Sequence, residues 1–367
     1  MSTSASIQGS TWPDLTAALL RGEDLVAAQA SWAMDQAMSG DATAVQLAGF
    51  LVALRAKGET SAEISGLVGA MLDHAGSVTI PAAIGPVVDT CGTGGDRSNT
   101  VNISTMSAIV VAAAGAPVVK HGNRAASSAA GSADVLEALG VAVDLPPSAI
   151  GPCVERAGIA FCFAPVFHPG MRHAAVARRE LGLPTVFNIL GPLANPARPA
   201  AQIVGCADIR LAPLMAQVLL GRGTRALVVR GEDGLDELST SAPTRVWDAT
   251  GDVVVEELID PTALGIGSPA PHALRGQDAQ FNATVARSVV MGERSDQLDP
   301  VRDAVLLGAA GALVAFDAAA GTASTGTVAD RLAAALPRAV EAIDSGAAGR
   351  VLERWIAVSG ELKAQSI

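Results

Sequence analysis

No tyrosine occurs among the 367 residues, and Phe and Trp bring the aromatic share to only 3%. Half the residues are hydrophobic, so the core has to be assembled from Ala, Val, Leu and Ile, a composition that suits closely packed helices and parallel strands. Cysteine is scarce as well. Cys91, Cys153, Cys162 and Cys206 form no C-x-x-C pair and no zinc spacing, which points to buried free thiols in a reducing compartment. The five histidines show no H-E-x-x-H pattern, and His168 and His173, five apart, miss the helical spacing of a ligand pair. Basic residues are outnumbered 25 to 36, and the resulting charge of −11 repels nucleic acid and acidic membranes. Any anion site must therefore be local. The first ten residues, MSTSASIQGS, carry neither a basic residue nor an apolar run, and the most apolar tracts, Met106 to Val119 and Ala304 to Phe316, fall short of the roughly 20 residues that span a bilayer. These absences predict a cytoplasmic protein without membrane or nucleic-acid partners.

The length predicts two lobes or one large α/β unit. From Trp12 to about His74 the sequence reads as short amphipathic helices with brief polar breaks, Gly40-Asp41 and Gly58 among them, and Thr60-Ser61-Ala62-Glu63 is a capping box. Beyond Gly76 short apolar runs alternate with Ala-rich stretches. GPVVD, APVVKHG, VAVDL, FCFAP and RALVVRG are the predicted strands of a sheet with crossover helices, and Arg245 to Leu258 reads as a hairpin turning at Thr250-Gly251. From about Phe281 the pattern is helical again. The expected architecture is α/β: a helical domain over 1–80, with further helices from about 170–185, and an α/β domain with a mixed central sheet over 81–367, hinged near residues 76 to 85.

Four stretches carry chemistry. DTCGTGGDRSNTVNIST puts Gly92, Gly94 and Gly95 directly after an apolar run, where successive N–H groups of a glycine turn make an anion-binding concavity. It is neither a Walker A loop, which needs Gly-Lys-Ser/Thr, nor a dinucleotide fingerprint, since Arg97 stands where the last glycine belongs. Ser98, Asn99, Thr100, Asn102, Ser104 and Thr105 then supply more side-chain donors than capping one helix requires. The second stretch, VVKHGNRAASSAAGS, gathers Lys120, Asn123, Arg124, Ser127, Ser128 and Ser132 after a predicted strand, which reads either as a polyanion clamp or as solvated surface charge. The third, GLDELS, offers adjacent carboxylates Asp236 and Glu237, an ordinary surface pair or two ligands of a divalent cation. In the fourth, FAPVFHPGMRHAAVARRELG, helical spacing would turn Arg172, Arg178 and Arg179 broadly one way.

Together these motifs resemble the anthranilate phosphoribosyltransferases, the tryptophan-pathway branch of a glycosyltransferase family that also includes pyrimidine nucleoside phosphorylases. The resemblance implies a magnesium-dependent transfer from 5-phosphoribosyl 1-diphosphate (PRPP) to the amine of anthranilate, in a homodimer built through the helical domains. Position by position it implies that Gly92, Gly95, Asp96, Thr100, Asn102, Ile103, Ser104 and Thr105 hold PRPP, together with Lys120, His121, Gly122, Asn123, Arg124, Ala125, Ala126, Ser127, Ser128 and Ser132. It implies anthranilate contacts at Gly92, Asn123 and Arg178, magnesium ligands at Ser104, Asp236 and Glu237, and an acceptor channel near His168, Pro169 and Met171. Three residues depart from the family pattern: Gly170 replaces an expected Ala, Gln277 a Gly and Gly308 an Asn. Two rival readings are a nucleoside phosphorylase, which would need a further C-terminal domain, and a nucleic-acid-binding relative, which the net charge opposes.

Overall fold

The structure is a computed structural model and describes residues 10–125, 129–267 and 269–366. Four helices, Trp12–Leu20, Ala27–Ser39, Ala44–Lys57 and Ser61–Asp73, open the chain. Thr43 and Thr60 cap the last two through reciprocal bonds with Gln46 and Glu63. The break at Gly40-Asp41 extends to Thr43, the N-cap of the third helix, because Gly40 leaves the second in a left-handed conformation (φ 83°) and Asp41 and Ala42 complete the exit. Glu63 is fully buried and accepts from the N–H groups of Leu25 and Thr60 and from Lys57 Nζ, tying three segments together.

The sheet has seven strands: β1 Val88–Gly92, β2 Val118–Gly122, β3 Ile159–Phe163, β4 Ala201–Gly205, β5 Arg225–Gly231, β6 Thr244–Ala249 and β7 Val255–Ile259. Their order is β3-β2-β1-β4-β5-β6-β7. The first five are parallel, β6 pairs antiparallel to β5 and β7 antiparallel to β6, so the sheet is mixed and the hairpin lies where the sequence places it. From β1 the chain winds outward through β2 and β3, then returns to the other side of β1 as β4. That reversal opens a crevice at the C-terminal ends of β1 and β4.

Two expectations about strands fail. VAVDL alternates buried Val141, Val143 and Leu145 with more exposed neighbours, as a strand would, yet it pairs with no strand among the described residues; the Ala142 N–H is taken by Ser359 Oγ instead of a ladder partner. Conversely, β4 is a central strand that no apolar run announces, because Gln202 interrupts it. Gln202 is buried, and its amide donates to Pro192 O and to Asp89.

One face of the sheet packs on Ile103–Ala113, Asp299–Ala320 and the remaining C-terminal helices in a core of Val, Ile, Leu and Ala. Asp299–Ala320 is long and apolar enough to cross a membrane by composition, but two thirds of that window is buried in the protein, as befits a core helix. The other face joins Ala212–Gly221 and residues 174–194 to the four opening helices in a second, continuous apolar cluster.

Candidate active site

The cleft that opens at the crevice has a volume of about 850 Å³. Its floor begins with β1, whose last residue must be glycine: a Cβ on Gly92 would lie 2.6 Å from Asp236 Oδ2. Gly205, at the matching end of β4, leaves room for the Asp236 backbone in the same way. The chain then turns through four left-handed residues, Gly94, Gly95, Arg97 and Asn99, two of them without glycine's freedom and hence strained. Asp236 Oδ2 accepts the Gly94 N–H at 2.7 Å, which ties this loop to the acidic pair.

Helix Ile103–Ala113 starts beside the loop, and its N-cap residue Asn102 makes no side-chain capping bond. Its amide donates instead to Ala130 O and accepts from Asn282 Nδ2. The Ser, Thr and Asn run is therefore not consumed by capping. Thr105, in contrast, is fully buried behind the cleft and does not line it. Its side chain faces the interior because the helix has already begun.

Lys120 is not a surface charge. It is 2% exposed, and its ammonium donates to Thr90 O and to Ser104 Oγ, so it faces inward beneath the loop. Next to it, Asp89 is wholly buried and accepts from His121 N and Asn195 Nδ2, a bridge from β1 to β2 and to the segment after residue 193. Burial pushes the Asp89 carboxyl upward against the opposing pull of Lys120. Gly122 admits Ser132 Oγ to within 2.3 Å of where its Cβ would stand, which brings the start of the helix Ser132–Leu139 against the end of β2. Arg124 is exposed and paired with Asp134 and Glu137, its guanidinium 5.4 Å over the Phe163 ring. In this state Arg124 is held by protein carboxylates. Ala126, Ser127 and Ser128 lie outside the described residues.

The half-buried carboxylates of Asp236 and Glu237 sit opposite, with Asp96. Burial, and then the charges of Glu237 and Asp96, hold Asp236 well above the usual carboxylate range. Burial raises Glu237 to about 7, with Lys120 pulling it back. A site that keeps like charges together in this way is short of a cation. Among the described residues no three Asp, Glu, His or Cys side chains group into a complete metal cage. Two carboxylates and the Ser104 hydroxyl suit a hard cation that takes its remaining ligands from a phosphorylated substrate.

The far end of the cleft is built differently. His121 and His168, both buried with ring centroids 5.2 Å apart, donate through Nδ1 and Nε2 to Gly191 O and Ala194 O respectively. Burial lowers His121 to about 3 and lowers His168 as well, so both rings are neutral. Met71, Pro169, Met171 and Phe187 add apolar wall. Arg178 opens into this end with its guanidinium 5.3 Å over the Phe187 ring. The surrounding walls draw its pKa down, yet a guanidinium so far above neutrality stays charged.

The three arginines do not share one helix. Arg172 lies in a 3-10 turn, Pro169–Ala174, and Arg178 and Arg179 in the helix Ala175–Leu181, so the spacing argument fails where the helix type changes. Arg172 and Arg178 line the cleft; Arg179 does not. Gly92, Gly95, Asp96, Thr100, Asn102, Ile103, Ser104, Lys120, His121, Gly122, Asn123, Arg124, Ala125, Ser132, His168, Pro169, Met171, Arg178, Asp236 and Glu237 all line it. Sequence reasoning missed Phe187, Asn188, Leu190, Gly191 and Pro192; the Gly191-Pro192 pair inside a helical run was the available signal.

Residues 84–349 match the glycosyl transferase family, a/b domain, and residues 13–75 match the glycosyl transferase family, helical bundle domain. A relative from Arthrobacter sp. (strain FB24), an anthranilate phosphoribosyltransferase, is 58% identical over 97% of this chain and 98% of its own. The crystal structure of the anthranilate phosphoribosyltransferase from Thermus thermophilus superposes with a TM-score of 0.85 at 40% identity, covering 94% of this chain and 99% of that one. The Saccharomyces cerevisiae enzyme in complex with PRPP and Mg gives 0.84 at 27% identity over 97% of this chain and 99% of its own. A cleft with a strained glycine loop at one end and an arginine among apolar walls at the other, in a chain this similar along its whole length, has one assignment: the chain belongs to the anthranilate phosphoribosyltransferase family.

Proposed function

We propose that this chain transfers the 5-phosphoribosyl group of PRPP to the amine of anthranilate, releasing diphosphate, as a step of tryptophan biosynthesis. The observation that carries the reading is the polarity of the cleft: a backbone-donor loop with carboxylates at one end, and at the other a guanidinium that has no carboxylate partner among the described residues and stands among apolar walls. The first suits a phosphorylated sugar with its cation, the second a planar aromatic acid.

In the reaction the anthranilate nitrogen bonds to ribose C1 as the bond from C1 to the diphosphate oxygen breaks, and the nitrogen then loses a proton. The aryl amine is neutral and nucleophilic at pH 7, so the barrier lies in the departure of diphosphate through an oxocarbenium-like state, by analogy with glycoside cleavage. Asp236, Glu237 and Ser104 would hold Mg²⁺, which when bound offsets charge growing on the leaving group. The loop at Gly92–Thr100, with Asn102 and Ile103, receives the phosphoribosyl part, and Asn123, Arg124, Ala125 and Ser132 border the diphosphate. Lys120 acts from beneath by fixing Ser104 and lowering the local negative charge. Arg178 anchors the acceptor carboxylate, with Gly92 and Asn123 near its amine.

The division into a helical unit over 1–80, extended by residues near 170–185, and an α/β unit over 81–367, hinged near 76 to 85, belongs to the same proposal. So does a homodimer through the helical unit, favoured by Val45 and Val52, which stand 83% and 42% exposed one above the other on the Ala44–Lys57 helix. Four buried free cysteines favour a cytoplasmic setting. The decisive experiment follows loss of anthranilate fluorescence with PRPP and Mg²⁺ present, against other aromatic amines. PRPP-dependent loss with anthranilate is the expected result, and its absence at saturating PRPP would overturn the assignment.

A further inference from the structure

Residues 169–174 run along the apolar end of the cleft with Pro169, Met171 and Arg172 on its wall, and His168 just before them. Gly170 is the exception. It does not line the cleft but faces the opening helices, where a Cβ would stand 2.7 Å from Met38 O and 3.2 Å from Met38 Cα and Cβ. Met38 lies in the last turn of Ala27–Ser39 and is 4% exposed. A carbonyl fixed in a helix and packed into a core has no room to yield. In the same turn Gly40 meets the His173 ring, 2.9 Å from the place of its own Cβ to His173 Nδ1. The wall segment is thus drawn against this helix turn at Gly170, where backbone meets it and only a missing side chain admits the contact, while the exposed His173 ring over Gly40 is free to swing aside.

We infer that Gly170 sets the width of the apolar end of the cleft and thereby which ring-substituted 2-aminobenzoates are accepted; the inference rests on the proposed function. An alanine here has to move from 2.7 Å to an ordinary contact of 3.4 Å, a displacement of roughly 0.7 Å. The helix cannot retreat, so residues 168–172 move the other way, into the cleft. Relative to an alanine at this position the wall is set back by roughly 0.7 Å, a sizeable part of the extra reach of a ring methyl over the hydrogen it replaces, behind residues that line the cleft. Gly170 is a positioning residue and touches no substrate.

The test compares the parent with Gly170→Ala on anthranilate and on the anthranilates methylated singly at each free ring position. A methyl group that no longer fits costs about tenfold or more in kcat/KM. The expected result is that at least one methyl isomer loses at least about tenfold more than anthranilate does, while the KM for PRPP stays within about twofold. Equal loss on every acceptor, or no loss on any, would overturn the inference, because damage to folding lowers all rates alike. Should Gly170→Ala not accumulate, the parent alone decides: turnover of at least one methyl isomer within about tenfold of anthranilate supports a wall set back, and poorer turnover of all of them refutes it. A parent that does not turn over anthranilate at all would overturn the proposed function and this inference with it.

Discussion

Lys120 shows how burial changes what a residue does. As one charge in KHGNR it reads as part of a diphosphate clamp or as surface, and removing a surface charge would leave the fold almost unaffected. In place it is the buried cation among Asp89, Glu237, Thr90 O and Ser104 Oγ. Lys120→Met should therefore cost about 1–3 kcal/mol of stability, because it leaves the buried Thr90 carbonyl without its charged donor and Asp89 and Glu237 without the cation that pulls them down. Denaturant unfolding of the ligand-free protein measures this, and a change below about 1 kcal/mol would return Lys120 to the surface-charge reading. Residue types told where the loops begin; they could not tell which way each side chain turns. Thr105 has the same chemistry as Ser104 one position earlier, yet 100° of helical rotation puts it in the core.

At the scale of elements, the glycine loop does not stand alone. The segment leading into Ala279–Val290 lies along it: Gly276 N donates to Asn99 O at 2.8 Å and Val101 N to Leu274 O at 2.9 Å. Asn282, 1% exposed, closes the set by accepting from Gln277 N and donating to Asn102 Oδ1. The backbone N–H of residue 277 makes that bond with any side chain, so Gln277 can replace glycine without loosening the loop. Asn282→Ala should leave Asn102 without its donor and raise the KM for PRPP severalfold while that for anthranilate stays level; initial rates with each substrate varied in turn check it. Elements with a strong period were legible, including β5, the hairpin and the C-terminal helices. A central strand was not, because Gln202 breaks its apolar run to serve Asp89 and Pro192. Likewise VAVDL carries a strand's alternation with no neighbour to pair with, since pairing is a property of the sheet and not of the segment.

Over the whole molecule, charge and pH act through the same few groups. The folded chain holds Asp236 and Glu237 above their ordinary values, so between those values the native state binds more protons than the unfolded one. Stability without ligand should then fall as pH rises from the ordinary 4.5 of a glutamate toward about 7. Asp236→Asn/Glu237→Gln should flatten that slope and match or exceed the parent in thermal stability at pH 7.5, while turnover collapses and the Mg²⁺ needed for half activity rises. Melting temperatures across this range, with a Mg²⁺ titration of activity, separate the outcomes; an unchanged slope with normal turnover would remove both residues from the site. The second apolar cluster bears on descent as much as on stability. Ala212–Gly221 and residues 174–194 complete the packing of the four opening helices, so that apolar cluster draws on residues from both sides of the boundary between the two family domains at residues 75–84. The first 75 residues are thus not an exchangeable cassette: helices grafted in their place would meet residues 174–194 and Ala212–Gly221 with the wrong complement of side chains.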